Sequence, residues 1–207
     1  MTIGHNSAVL REILRVSVIF LIVAALLGSV WGFDALTDTV EQNTHPKKYS
    51  EYVSKYSKEY GIPEHIIYAV IKVESDFDPK ARSSAGAMGL MQMMPKTFKW
   101  LSGSEHLNEH HLTSASLFDP EVSIRYGVYY LSYLYKSFDM NINTTLAAYN
   151  AGEGNVREWL SDPRYSDMAG NLTYIPFKET RNYVRKVNKQ ANIYIELYYT
   201  ESEAKNK

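Results

Sequence analysis

Ile66-Ile67-Tyr68-Ala69-Val70-Ile71-Lys72-Val73-Glu74-Ser75 is the stretch whose reading decides the fold. Ile66, Ile67, Val70, Ile71 and Val73 mark a strongly apolar helix. Pro63 just ahead can open that helix, because the first turn needs no amide hydrogen there. The run ends near Glu74, where Asp76, Asp78 and Pro79 break it. A carboxyl in that place has oily neighbours and sits at the negative end of the helix dipole. Both disfavour the charged form. A carboxyl that stays protonated near neutral pH is what a general acid requires. A solvated glutamate at a helix end is the ordinary alternative, so Glu74 alone does not decide the chemistry.

Helical signals continue on both sides. Tyr49, Tyr52, Val53, Tyr56 and Tyr60 fall on one helix face, and Gly61 stops it. Pro95 opens a short helix through Phe98, Trp100 and Leu101. Residues 102–117 are polar and histidine-rich and read as loop. Asp119 is an N-cap with Pro120 at the first helical position. That helix buries Val122, Ile124, Val128, Leu131, Leu134 and Phe138. Asn143 caps another that runs to Gly152, and Val156 to Leu160 gives a short one. Pro176 opens a long last helix with Phe177, Tyr183, Val184, Val187, Ile193 and Ile195 as its apolar positions. No stretch shows convincing strand alternation, and there is no fixed-period repeat. The pattern predicts a mainly α domain over residues 49–200, with room for a small hairpin, and a charged tail at 201–207.

The chain has 207 residues, 45% hydrophobic and 22% charged, which is ordinary for a globular protein. Its net charge of −1 gives no basic stripe for nucleic acid. The absence of cysteine excludes disulfides, thiol catalysis and thiolate metal sites. Most of the 17 tyrosines read as helix-face packing, with sugar stacking as the functional alternative. Val16 to Phe33 carries no charge and spans roughly 27 Å as a helix, close to the hydrocarbon thickness. Arg11 and Arg15 precede it, and Asp34, Asp38 and Glu41 follow. The charge bias puts residues 1–15 in the cytoplasm, a single transmembrane anchor at 16–33, a linker at 34–48 and the rest outside the cell membrane. A cleaved signal peptide with a secreted product is the rival, but Gly28-Ser29-Val30-Trp31-Gly32 offers only weak cleavage sites.

Three more peptides stand out. Gly86-Ala87-Met88-Gly89-Leu90-Met91-Gln92-Met93-Met94-Pro95 combines glycines that permit positive φ or close backbone approach with an amide that offers donor and acceptor. Ala148-Tyr149-Asn150-Ala151-Gly152 places an aromatic face and an amide at a helix end. In Glu179-Thr180-Arg181-Asn182-Tyr183 the acid and the phenol, four apart, share a helix face. Together with Glu74-Ser75 these parts suit a polysaccharide site, and no phosphate, haem or dinucleotide site would need them. The usual glycosidase pairs two carboxyls. Asp76 and Asp78 read as helix stops, Glu153 and Glu179 lie on later motifs and could approach, and no second carboxylate announces itself as nucleophile. That favours a substrate that supplies its own.

On these four motifs, in this order, the chain resembles the soluble-lytic-transglycosylase family, with its goose-lysozyme-like helical fold, from about Tyr49 to Tyr198. The resemblance implies cleavage of the β-1,4 bond between N-acetylmuramic acid and N-acetylglucosamine in peptidoglycan, without water, leaving a 1,6-anhydro ring. It implies Glu74 as the sole catalytic acid and base. It implies substrate contacts from Ser75, Ser83, Gly89, Leu90, Met91, Gln92, Tyr149, Asn150, Glu179 and Tyr183. Some members carry a serine two residues after the Ser83 position, where this chain has Ala85, which weakens any serine assistance at the acetamido group. The expected partners are glycan strands, the membrane through the N-terminal helix, and proteins of an envelope or secretion complex. No cofactor and no metal are expected.

Three rivals stand beside that reading. His106-Leu107-Asn108-Glu109-His110 fits an H-x-x-E-H zinc pattern, but its flanks lack an apolar face and a solvated loop explains it better. A muramidase that adds water shares the fold and the acid. A non-catalytic wall-binding module is the third, and the intact Glu74 argues against it. The N-x-T triplets at Asn143 and Asn171 are better explained by capping or turns.

Overall fold

A computed structural model describes residues 42–103, 107–167 and 169–199. The chain divides into two compact units, Met1–Pro46 and Lys47–Lys207. The proposed anchor at 16–33 and the tail at 201–207 lie outside the described residues. Among the described residues no helix is long and apolar enough to cross a membrane.

The second unit is helical: α1 (Ser50–Tyr60), α2 (Glu64–Ser75), α3 (Pro95–Gly103), a 3-10 turn (Ser114–Phe118), α4 (Pro120–Ser137), α5 (Ile142–Ala151), α6 (Glu153–Ser161) and α7 (Lys178–Tyr198). Only isolated bridges, Arg82 with Met88, Met88 with Met93 and Ser166 with Leu172, represent β structure among the described residues. α2 is the central element. Ile66 through Ile71 are buried without a break, so this helix is covered all round rather than on one stripe. It packs on α1 and α7, while α5 joins α4, α6 and α7. A smaller core forms under the irregular loop, where Met88, Met93, Phe98, Leu101, Leu117 and Tyr126 pack together.

The caps explain the borders. The Asp119 carboxylate accepts the amides of Glu121 and Val122 and starts α4 ahead of Pro120. α5 is capped by Asn141, whose side chain accepts the Thr144 amide. The expected cap, Asn143, lies inside the helix and bonds Asn188 of α7 at 2.7 Å. A 3-10 turn occupies part of the expected loop. α7 begins at Lys178, two residues after Pro176, and Phe177 stays 49% exposed against the edge of Trp159. Near the end of α7 it is Tyr194 that is buried, with Ile193 and Ile195 half-buried, because Tyr194 stacks on Tyr68 of α2 at 5.2 Å. Val122 is likewise half-buried.

The entry of the domain is clasped to its last helix. The Lys47 ammonium lies 4.8 Å from the Tyr199 ring and 5.5 Å from that of Tyr198. It also sits 3.6 Å from Glu64, which accepts the Tyr199 hydroxyl at 2.8 Å. Ammonium over aromatic faces and a shared carboxylate is a cation–π and ionic arrangement.

Candidate active site

Glu74 sits in the last turn of α2, and the chain reverses immediately after it. Asp76 and Phe77 both adopt positive φ, 51° and 64°, which costs non-glycine residues roughly 1–3 kcal/mol each. Burial of Phe77, 3% exposed, offsets that cost and holds the reversal. Asp76 caps α2 and pairs with Lys72, and Asp78 accepts the Lys80 amide, so both acids act as helix stops.

Burial pushes the Glu74 carboxyl up from 4.5 to about 7, with the Tyr183 phenol opposing the shift. Tyr183 is itself buried, and burial first, then the nearby Glu74 charge, raises its own pKa well above the ordinary phenol value. No hydrogen bond of ordinary length joins the two: the Tyr183 hydroxyl is buried without a partner. Tyr149, from α5, is raised by the same two causes in the same order. One carboxyl and two phenols therefore share a dehydrated space.

The loop at residues 81–93 is fastened beside them from three helices. The Ser75 hydroxyl donates to the Leu90 carbonyl at 2.8 Å, and the Tyr149 hydroxyl donates to the Met91 carbonyl at 2.8 Å. The Ser123 hydroxyl of α4 accepts the Met91 amide at 3.3 Å. Leu90 and Met91 are fully buried, so their side chains belong to the core and only their backbone stands near Glu74. Gly89, at φ 76°, is needed for packing within the chain. A Cβ there would lie 1.9 Å from the Leu117 carbonyl oxygen and 2.8 Å from Ser123. Gln92, also at positive φ, donates its amide to the carbonyls of Gly89 at 2.9 Å and Ala81 at 3.1 Å. Both donations brace the loop. Ser83 closes its own turn by accepting the Ala87 amide at 3.0 Å.

At the rim, Asn150 is exposed and accepts the hydroxyl of buried Thr180 at 2.8 Å, which ties the end of α5 to the start of α7. Glu179 is exposed in the first turn of α7, where the helix dipole favours its charge. Arg181 donates to the carbonyls of Ile175 and Pro176 and to the Tyr174 hydroxyl, and so clamps the segment before α7. The sequence reading missed Ser123, Thr180 and Gly127. Gly127 carried a signal: a glycine inside a helix costs about 1 kcal/mol and needs a reason. The reason is Met91, whose sulfur would lie 2.3 Å from a Cβ there.

The zinc pattern dissolves on its glutamate. Glu109 pairs with Arg125 at 2.8 Å and accepts the Tyr126 hydroxyl at 3.0 Å. His106 lies outside the described residues. Asn171 donates to Asp167 within a turn, as a turn reading of that triplet requires.

Geometry thus defines a small helical domain built round one desolvated acid. Comparison with known proteins places it. The Transglycosylase SLT domain matches residues 51–169, more than half of the chain, and the chain belongs to that family. It is 35% identical over 165 residues to the soluble lytic murein transglycosylase of Escherichia coli K12, covering 79% of this chain and 24% of that protein. It is 32% identical over 177 residues to the membrane-bound lytic murein transglycosylase C of Haemophilus ducreyi, covering 73% and 46%. Among solved structures, an inactive glutamate-to-glutamine mutant of lytic transglycosylase Slt from Pseudomonas aeruginosa superposes with a TM-score of 0.64 at 36% identity, covering 75% and 25%. The 70-kDa soluble lytic transglycosylase in complex with bulgecin A gives 0.70 at 34% identity, covering 77% and 26%. The chain spans about a quarter of the length of the soluble relatives.

Proposed function

We propose that this protein is a membrane-anchored peptidoglycan lytic transglycosylase that cuts the β-1,4 bond between N-acetylmuramic acid and N-acetylglucosamine without water. The observation that carries the reading is the Glu74 carboxyl, held up to about 7 by burial and faced by a phenol without a partner. Such a group is about half protonated at neutral pH, where an ordinary carboxyl is almost wholly ionised, and can give its proton. Several relatives bear the name murein transglycosylase, and the Pseudomonas aeruginosa neighbour is inactive as a glutamate-to-glutamine mutant. The uncharged run at 16–33 and the membrane-bound name of one relative support the anchor.

Glu74 gives its proton to the glycosidic oxygen as the C1–O bond breaks. The muramoyl acetamido oxygen stabilises C1. The Glu74 carboxylate then takes the proton of the C6 hydroxyl, and O6 closes on C1. The carboxyl is regenerated and no water is consumed. Tyr183 steadies the transient carboxylate. The uncommitted amide hydrogens of Asn150, the oxygen of Gln92, the Tyr149 ring and the backbone of residues 89–91 receive the sugars. Glu179, Ser75 and Ser83 frame them.

The test is mass analysis of products from purified sacculi, with wild type beside Glu74→Gln. Anhydro ends are expected, about 18 Da lighter than the ends left when acid–base hydrolysis adds a water. Glu74→Gln should turn over about 10²-fold or more slowly. Because the protonated carboxyl is the active form, kcat/KM should fall as pH rises past about 7. Reducing ends alone would replace this reading with a muramidase.

A further inference from the structure

An aromatic line leaves the Glu74 region and runs across the molecule. Tyr149, bonded to the Met91 carbonyl beside the acid, meets Tyr130 of α4 with ring centroids 5.5 Å apart. Tyr130 stacks on Tyr133 one turn further along α4, at 6.3 Å and 11° between planes. Trp100 of α3 meets both edge-on, at 6.3 Å and 5.2 Å. This tryptophan is 41% exposed, whereas Trp159 is 4% exposed in the core. Beyond Tyr133 lies a hollow of about 300 Å³, lined by Tyr60, Tyr129, Ser132, Tyr133, Lys136 and Ser137. That volume is at the lower limit of small-ligand sites.

We propose that Trp100, Tyr133 and this hollow form a distal site for a sugar ring of the same glycan strand, with Lys136 meeting an anionic substituent. The inference rests on the murein reading of the Glu74 site. Three features select this occupant. The wall of the hollow is made of the Tyr60, Tyr129 and Tyr133 rings with the Ser137 side chain, while the Ser132 hydroxyl is spent on the Tyr60 carbonyl, which leaves a surface amphipathic in the way a pyranose is. Its one formal charge among those six residues is positive, and the muramoyl units of murein carry acidic peptide stems. Tyr133 stands two ring contacts from Tyr149, a spacing that a strand of several sugars can bridge. Two linked sites on one strand raise affinity through effective concentration without any change at the bond being broken.

The experiment uses the full chain with Glu74→Gln, so that strands are bound without being cut. Dissociation constants are measured for long uncrosslinked murein strands and for chitohexaose, which has no anionic group. Adding Trp100→Ala or Tyr133→Ala should weaken long-strand binding about tenfold. Tyr133→Phe keeps the ring and should bind as the parent, which separates stacking from damage to the fold. Lys136→Gln should weaken murein strands about threefold at low salt and leave chitohexaose unchanged. Full affinity in both alanine variants overturns the distal site while the murein reading stands. A Lys136→Gln chain that binds murein strands as the parent does overturns the charge assignment. Absence of affinity for murein strands in the Glu74→Gln parent overturns the underlying reading itself.

Discussion

Two regions flank Glu74 and are built on opposite principles. In the loop at residues 81–93, polar groups are met: Ser75, Tyr149, Ser123 and Gln92 supply partners to its backbone from all sides. Across the seam between α2 and α7, polar groups are left unmet. Tyr68 and Tyr183 bury hydroxyls without partners, and Glu74 buries a carboxyl against its preference for charge. An unmet buried polar group costs roughly 1–3 kcal/mol. The difference teaches where rigidity and protonation are separated: the loop fixes positions, and the seam holds a carboxyl that keeps its proton to higher pH than a solvated one would.

Four substitutions break or sharpen that contrast. Gly89→Ala should be the most damaging. It adds both a backbone clash and a strained positive φ, and the expected loss is more than about 4 kcal/mol by chemical denaturation. Wild-type stability in that variant would show the loop to be slack. Glu74→Gln should act in the other direction. The folded carboxyl binds its proton more tightly than the unfolded one, so wild-type stability is complete below 4.5 and falls as pH rises through about 7. The variant should therefore gain about 3 kcal/mol over wild type at pH 8 and nothing at pH 4, read from denaturation midpoints at the two pH values. Equal midpoints at pH 8 would mean that the carboxyl is solvated. Tyr149→Phe strips the Met91 carbonyl of its donor and should cost about 1–2 kcal/mol. Tyr183→Phe removes a hydroxyl that has no partner, so its stability should hold or rise by about 1 kcal/mol while turnover drops. A loss for Tyr183→Phe as large as that for Tyr149→Phe would erase the distinction between the two phenols.

Local signals were readable in the sequence; the direction of side chains was not. Asp119 with Pro120, and Gly61 after Tyr60, mark helix borders by chemistry confined to one turn, and both stand. Asn141 and Asn143 offer the same chemistry two residues apart, and the choice falls to a partner on α7, Asn188. The burial of Glu74 was legible because Ile66 to Val73, apolar but for Lys72, precede it. Leu90 and Met91 looked like site residues because of their motif, yet their side chains fill the core and only their backbone borders the site. The amide of Gln92 offers donors in any sequence, but that both go to the carbonyls of Ala81 and Gly89 depends on the fold of the loop. The phase of α7 was missed near its end because Tyr194 finds Tyr68, a ring that lies on a different helix.

The clasp made by Lys47 has a mechanical meaning. The domain's first residue is joined to α2 through the Glu64 ion pair and to the end of the final helix through the faces of Tyr198 and Tyr199. The fastening grips α2 at its first residue and α7 at its last, whereas Glu74 and Tyr183 lie towards the opposite ends of the same two helices, so a pull on Lys47 is met most of a helix's length from the acid.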